Sequence, residues 1–365
     1  MIGTITFIIA TFLVSFVCGI ITIPQITSFC KKKELYDMPN LRKVHTTNIP
    51  RMGGTCFMPC MIVAALLSVA VYRFNNDETL TISLWSFMFL VSIILVYTIG
   101  LIDDIVGVSP RIKFVVQILA ASLMPFSGLY INNLYGFMGI EAIPFYVGAP
   151  LTVFVIVFID NAINLIDGID GLAGGLAVLA LAGFLYCFQR EGMFVYSVLI
   201  AGLIGVVVSF LYYNIYGGKK HKYKIFMGDS GSLTLGFMLA FLLVKFVMNN
   251  TNVMPFRSDS LLLSYTLLIV PCFDVVRVII SRLCDGQPVF KADKRHLHHK
   301  LLRSGLSQHC ALITILGLQI VFVVLNVVLY RFIPITYIVV VDVLAFVLFN
   351  IVINSFIKRA KVVHS

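Results

Sequence analysis

Three carboxylates and two carboxamides crowd into one stretch, Asp160-Asn161-Ala162-Ile163-Asn164-Leu165-Ile166-Asp167-Gly168-Ile169-Asp170, between the apolar runs 151–159 and 176–188. On a helix, Asp160, Asn164 and Asp167 share one stripe, since positions i, i+4 and i+7 are neighbours. Carboxylate and amide oxygens gathered in this way suit a hard cation such as Mg²⁺. The glycines from Gly168 to Gly175 then break the helix and let backbone N–H groups approach a ligand. A plain polar turn between two spans needs no such concentration of acids at a membrane edge.

Other groups of the same character follow the same logic. Asp103 and Asp104 are adjacent at the end of an apolar run; they repel, so a cation or a shared proton must offset them, unless they serve only as a solubilising helix end. Arg111 and Lys113 come within ten residues and offer cations for phosphate, with Gln117 beyond. Asp229 stands in Gly228-Asp229-Ser230-Gly231, just before another apolar run, where an acid also serves as an ordinary N-cap. Phe226 and four lysines precede it. Asp274 and Arg277, three apart on one helix, are placed to pair. The segment Lys291-Ala292-Asp293-Lys294-Arg295-His296-Leu297-His298-His299-Lys300 mixes Lys, Arg and His as a phosphate-gripping loop would. It lacks a nearby Cys for zinc, and Cys56-x-x-x-Cys60 has no partner pair. No G-x-x-x-x-G-K-[ST] is present, so this is not a P-loop. Lys43, His45 and Arg51, in a segment fixed by Pro39 and Pro50, offer charge to an anionic headgroup, and Gly53-Gly54 permits close packing at the next span.

The elements that hold these groups are membrane helices. The chain has 365 residues, 59% apolar and only 12% charged, against about 25% charged in soluble proteins. Apolar stretches of about 20 residues recur throughout. Eleven spans are expected, roughly 2–23, 54–73, 81–102, 113–130, 148–166, 172–188, 195–215, 230–250, 259–281, 311–330 and 335–356. The fold class is an all-α integral membrane protein, one polytopic domain over 1–365. The first stretch lacks a basic n-region and reads as a retained span. Loops on one side hold 21 of the 27 Lys and Arg residues. The positive-inside rule puts that side in the cytoplasm, with the N-terminus outside and the C-terminus inside. Orientation and anionic substrates account for the net charge of +10 without nucleic acid. All the acid-rich groups and the His loop then lie on one face, which implies phosphoryl chemistry between a soluble and a lipidic reactant. A secondary transporter for an anion is the reading of another class, but transporters carry their charges near the bilayer midplane.

The segments PNLRKVHTTNIPRMGG, GLIDD, NAINLIDGIDGLAGG, FMGDSGS and ADKRHLHHKL, in this order over residues 38 to 301, resemble those of the polyprenyl-phosphate N-acetylhexosamine-1-phosphate transferases (glycosyltransferase family 4). The resemblance implies a bacterial cytoplasmic-membrane enzyme, with loops at the cytoplasmic face forming the active site. It would transfer a HexNAc-1-phosphate from a UDP-sugar to polyprenyl (undecaprenyl) phosphate, releasing UMP. By the same resemblance Asn164 and Asp229 would hold Mg²⁺. Asp103, Asp104 and Asp167 would act on the lipid phosphate and the diphosphate, and Asp170 and Phe226 on the uridine. Lys113, Asn161, Arg277, Arg295, His296, His298 and His299 would contact phosphates or sugar. The last loop has Leu297 between histidines and Lys300-Leu301 after them. This, with Asp274 and Arg277, is similar to the branch using UDP-GlcNAc or a related UDP-HexNAc, rather than the branch using UDP-MurNAc-pentapeptide for peptidoglycan. The expected partners are UDP-HexNAc, polyprenyl phosphate and membrane lipids, with a homodimer left open.

Overall fold

The computed structural model describes residues 2–37, 48–76, 83–217, 223–288 and 295–363. Its helices are α1 (Ile2–Lys32), α2 (Phe57–Asn76), α3 (Leu84–Val106), α4 (Pro110–Phe126), α5 (Phe145–Ile166), α6 (Leu172–Arg190), α7 (Phe194–Tyr216), α8 (Gly228–Val247), α9 (Ser260–Thr266), α10 (Ile269–Cys284), α11 (Leu297–Arg303), α12 (Gln308–Leu329) and α13 (Ile335–Val363). Two antiparallel strand pairs complete it: β1 (Tyr36–Asp37) with β2 (Ile49–Pro50), and β3 (Asn133–Phe137) with β4 (Ile140–Ala142). The loop 131–147 is thus a hairpin.

Among the described residues nine helices are long and apolar enough to cross a membrane. The chain is therefore a multi-pass membrane protein. The expected ninth span is a broken one, α9 and α10 meeting at 69°. The expected fourth span is α4, only 17 residues, about 25 Å at ~1.5 Å per residue against a hydrocarbon core of ~30 Å. It starts before the expected span, where Ser109 caps it by accepting from Ile112 N and Pro110 sits at the first helical position, and it is cut short at the other end, where Ser127 is the C-cap and Gly128 takes φ +85°.

Helix α8 is the axis of the bundle. Every residue from Ser230 to Val247 is buried, and α3, α5, α6 and α9 pack around it. Small residues set the approach: a Cβ on Gly236 would fall 2.7 Å from the Cα of Asp160 on α5, and one on Gly100 2.7 Å from the Cα of Ser230. The far end of α8 is sealed by polar groups, as a membrane helix requires. Arg257 donates to the carbonyl of Phe246 (2.8 Å) and Tyr135 to that of Val247 (2.8 Å). At the near end, the chain entering α2 adds a backbone contact that no helix supplies. Arg51 bridges Phe226 in parallel, Phe226 N donates to Pro50 O (2.8 Å), and Gly53 N and Gly54 N donate to the carbonyls of Phe226 and Met227 (both 2.8 Å).

Candidate active site

The near ends of α3, α4, α5 and α8 converge on one acid cluster. Oxygens of Asp103, Asp104 and Asp229 all lie within 4.8 Å of one another. At that separation two carboxylates repel by about 3 kcal/mol for an effective dielectric constant of ~20, so cationic charge or a proton must offset them. Lys113 supplies part of it. Its Nζ is hydrogen-bonded to Asp229 and lies 3.5 Å from Asp103 Oδ2.

Each acid is placed by a distinct device. Asp104, almost fully buried, caps α8 from another helix: Oδ1 accepts from Asp229 N (2.8 Å), and Oδ2 from Ser230 N (3.0 Å) and Ser230 Oγ (2.6 Å). This uses the exposed N–H groups and positive end of a helix. Gly228 is required beside it, since its φ is +76° and a Cβ there would meet the Asp104 carboxylate at 2.6 Å. Asp229 is therefore not the N-cap that an acid before a helix suggests. The capping carboxylate comes from α3, and Asp229 turns its own toward Lys113 and Asn164. Asp103 is held by Val108 N (2.7 Å to Oδ1). Arg51 donates to the carbonyls of Asp104 (3.0 Å) and Asp103 (3.4 Å), so its guanidinium fastens the end of α3. Lys43 and His45 lie outside the described residues.

The stripe expected on α5 is divided by its surroundings. Asn164 reaches the cluster, donating to Asp229 Oδ1 (3.2 Å) and Ser232 Oγ (2.8 Å). Asp160 is one turn deeper and fully buried, where Gln117 donates to it (2.9 Å); Asn161 donates back to Gln117 (3.0 Å) and to Val157 O (2.7 Å). Asp167 lies just past the last residue of α5 and is exposed. The helix ends one residue too early to carry the whole stripe, and two helices, α3 and α8, bring the clustered acids together while α5 adds Asn164.

Two further groups flank the cluster. On one side Lys224 donates to Asp170 Oδ2 (2.6 Å) and also bonds the carbonyl of Asn214. Asn214 in turn accepts from Gly171 N (2.7 Å) and donates to Ile225 O (2.9 Å). Asp170 is thereby fixed beside the strand-like segment that carries Phe226, which is partly exposed. Lys224 is not separable in the sequence from the neighbouring topogenic lysines. Only its partner marks it.

On the other side the His loop hangs from α10. Fully buried Asp274 accepts from Arg277 (2.7 Å) and Leu297 N (3.0 Å), and bonds His296 Nδ1 (2.9 Å). Arg277 also donates to Arg295 O (2.6 Å). Arg295 is tied to Asp285 and to Ser281 Oγ (3.0 Å). The rings of His296, His298 and His299 follow one another at 6.0 and 4.2 Å between centroids. His298 packs on the chain after α5, where a Cβ on Gly168 would fall 2.1 Å from its Nε2. Burial, aided by His299, pushes the His298 pKa down to about 3, so it is a neutral ring rather than a cationic grip, and neither ring nitrogen has a hydrogen-bond partner among the described residues. Lys300 reaches Asn350 of α13 (2.8 Å), and burial with nearby Arg277 brings its pKa down to about 8.

The chain is similar to known proteins over most of its length. The model of "Glycosyl transferase family 4" matches residues 86–247, which run from α3 to α8 and hold the whole acid cluster. A relative from Bacillus subtilis (strain 168), "Probable undecaprenyl-phosphate N-acetylglucosaminyl 1-phosphate transferase", is 31% identical over 330 residues, 88% of this chain and 85% of the relative. The "Undecaprenyl-phosphate alpha-N-acetylglucosaminyl 1-phosphate transferase" of Escherichia coli (strain K12) is 28% identical over 91% of this chain and 88% of its own. The "Decaprenyl-phosphate N-acetylglucosaminephosphotransferase" of Mycobacterium tuberculosis (strain ATCC 25618 / H37Rv) is 32% identical over 74% of this chain and 69% of its own. The chain belongs to glycosyl transferase family 4.

Proposed function

We propose that this enzyme transfers a HexNAc-1-phosphate, GlcNAc-1-phosphate in the first instance, from a UDP-sugar to polyprenyl (undecaprenyl) phosphate. The reaction releases UMP at the cytoplasmic face and begins the synthesis of a cell-surface polysaccharide. The relatives' names support the sugar and the lipid. The observation that carries the chemistry is the meeting of Asp103, Asp104, Asp229, Asn164 and Lys113 at the bundle's near end.

These groups fit Mg²⁺. The donors are hard oxygens, their negative charge exceeds what Lys113 offsets, and an ammonium already stands between Asp103 and Asp229. Asp229 and the Asn164 carboxamide oxygen would hold the ion, which when bound neutralises diphosphate charge. A polyprenyl-phosphate oxygen attacks the β-phosphorus of the UDP-sugar. A new P–O bond forms, the bond from the β-phosphorus to the bridging oxygen breaks, and UMP departs with the electron pair. The attacking phosphate monoester has a second pKa near ~6 and is already mostly ionised, so no Asp need remove a proton. Lys113 stabilises charge on the transferring group. Asp170 and Phe226 receive the uridine, and the loop at His296, His298 and His299, hung from Asp274 with Arg277 and Arg295, encloses the sugar. Asp104 and Arg51 keep α3 and α8 in register. A bare HexNAc fits an enclosed basic loop, whereas a pentapeptide would need room beyond it. The orientation that puts this face inside, with the N-terminus outside and the C-terminus inside, rests on the distribution of Lys and Arg.

Purified protein with Mg²⁺ and undecaprenyl phosphate is to be assayed for UMP and lipid product with UDP-GlcNAc, other UDP-HexNAc donors and UDP-MurNAc-pentapeptide in parallel. Turnover on a UDP-HexNAc alone is the expected result. Equal or faster turnover on the pentapeptide donor refutes the assignment. Asp229→Asn should nearly abolish turnover and move the Mg²⁺ requirement of any residue of activity to higher concentration.

A further inference from the structure

Far from the acid cluster, the break between α9 and α10 meets α12 and α13. The break itself is satisfied: Gln319 donates to Thr266 O (2.8 Å) and accepts from Val270 N (3.2 Å). What is not satisfied is a carboxyl beside it. Asp342 of α13 is fully buried. Its Oδ2 accepts from Tyr265 (2.5 Å) and from Asn326 Nδ2 (2.8 Å), and Asn326 Nδ2 also donates to Thr266 Oγ1 (2.9 Å). Asp342 Oδ1 and Asn326 Oδ1, both buried, have no partner among the described residues. No Lys, Arg or His pairs with Asp342 among them either. Tyr265 on α9 is the titratable group facing it, with Cys272 of α10 beside Tyr265. From α12 comes only Asn326.

Two acceptor oxygens on residues already joined by a hydrogen bond, one of them on a carboxylate, lack a positive centre. An intramembrane carboxylate with no counter-charge is strongly disfavoured. We propose that Asp342 and Asn326, with Tyr265 and Thr266, form a site for one monovalent cation, H⁺ or Na⁺, whose binding fastens α13 to α12 and α9. As a proton, the cation makes Asp342 a neutral carboxylic acid and removes the uncompensated charge. As Na⁺, it takes the same oxygens as ligands. The site serves no step of the transfer reaction and stands whether or not the proposed donor is correct.

The test reads stability, not turnover. The melting temperature of the detergent-purified full chain is measured against Na⁺, with choline at constant ionic strength, and against pH. Wild type, Asp342→Asn and Asn326→Ala are compared, and infrared spectra are recorded for the carboxyl C=O stretch. A rise in wild-type melting temperature with Na⁺ that Asp342→Asn lacks identifies Na⁺. For H⁺ the bound form stabilises the fold, so wild-type melting temperature falls with rising pH relative to Asp342→Asn, independently of Na⁺. A protonated-carboxyl band is then lost in Asp342→Asn. If wild type and Asp342→Asn respond alike to both cations and share the same carboxyl bands, the proposal is overturned. Should Asp342→Asn fail to fold, Asn326→Ala decides: it must weaken the same response or shift the same band, and an unchanged response and spectrum overturn the site.

Discussion

The pairing of the segment before α2 with the start of α8 predicts that Gly54→Ala disables the enzyme without touching an acid. A Cβ at Gly54 would lie 2.0 Å from Gly231 Cα and 2.5 Å from Gly231 N, both backbone atoms of a wholly enclosed helix. Reaching the 3.4 Å of ordinary contact takes a separation of about 1.4 Å. Overpacking of this kind costs about 1–3 kcal/mol. The hydrogen bonds from Gly53 N and Gly54 N would stretch with it, at about 1 kcal/mol each. Together that is roughly 3–5 kcal/mol of stability. Because Gly231 is two residues beyond Asp229, the displacement reaches the acid cluster, where a misplacement of about 1 Å costs ~100-fold in rate. Turnover by UMP release should thus fall by about two orders of magnitude, with a lower melting temperature. Gly317→Ala is the control, since a Cβ there meets nothing within 4 Å on a helix. It should leave turnover unchanged and add about 0.5–1 kcal/mol. Near-normal rate and melting temperature in Gly54→Ala would refute the claim that this contact sets the site.

Further predictions follow from the individual anchors. Asp104→Asn turns an amide toward donors that need acceptors, and should lower melting temperature and turnover together. Asp103→Asn retains an acceptor for Val108 N and should lower turnover with little change in melting. Asp274→Asn loses a charge-assisted anchor worth about 1.5–3 kcal/mol, so the KM for UDP-HexNAc should rise about 10- to 100-fold. Inhibition by UMP should stay unchanged, because Asp170 and Phe226 are untouched; an equal loss of UMP affinity would contradict separate anchoring of the two ends. A cysteine at Asn252 should label from outside intact cells and one at Lys294 should not; the reverse pattern would place the proposed catalytic face outside.

Much of this architecture is legible in the sequence, because membrane spans announce themselves by length and apolarity. The acid motifs are visible because acids at span ends are costly and few. Gly53-Gly54 is rightly a place of close packing, and Asp274 does pair with Arg277. What cannot be read is which helix a polar group faces. Asp160 shares a stripe with Asn164, yet Gln117 of α4 takes it out of the cluster. Asp104 looks like a twin of Asp103, but docking of α3 on α8 makes it a helix cap. The bend between α9 and α10 falls at Leu267-Leu268 within a stretch that reads as one span, and only Thr266 before it and Pro271 after it mark a place where the helix can break.

The cap that Asp104 provides has a consequence for how the chain is made. It joins residues 125 apart in sequence, and everything between them must be threaded through the membrane before the contact can form. Until α8 arrives, Asp104 stands at the end of α3 without the N–H groups that it caps, while Asp103 has only its local donor, Val108 N. A contact so distant closes late, after the local helices have formed. The nascent protein therefore carries an unfinished active site through most of its synthesis, and a chain stopped before Gly228 would insert its first helices yet hold neither the cap nor the cluster.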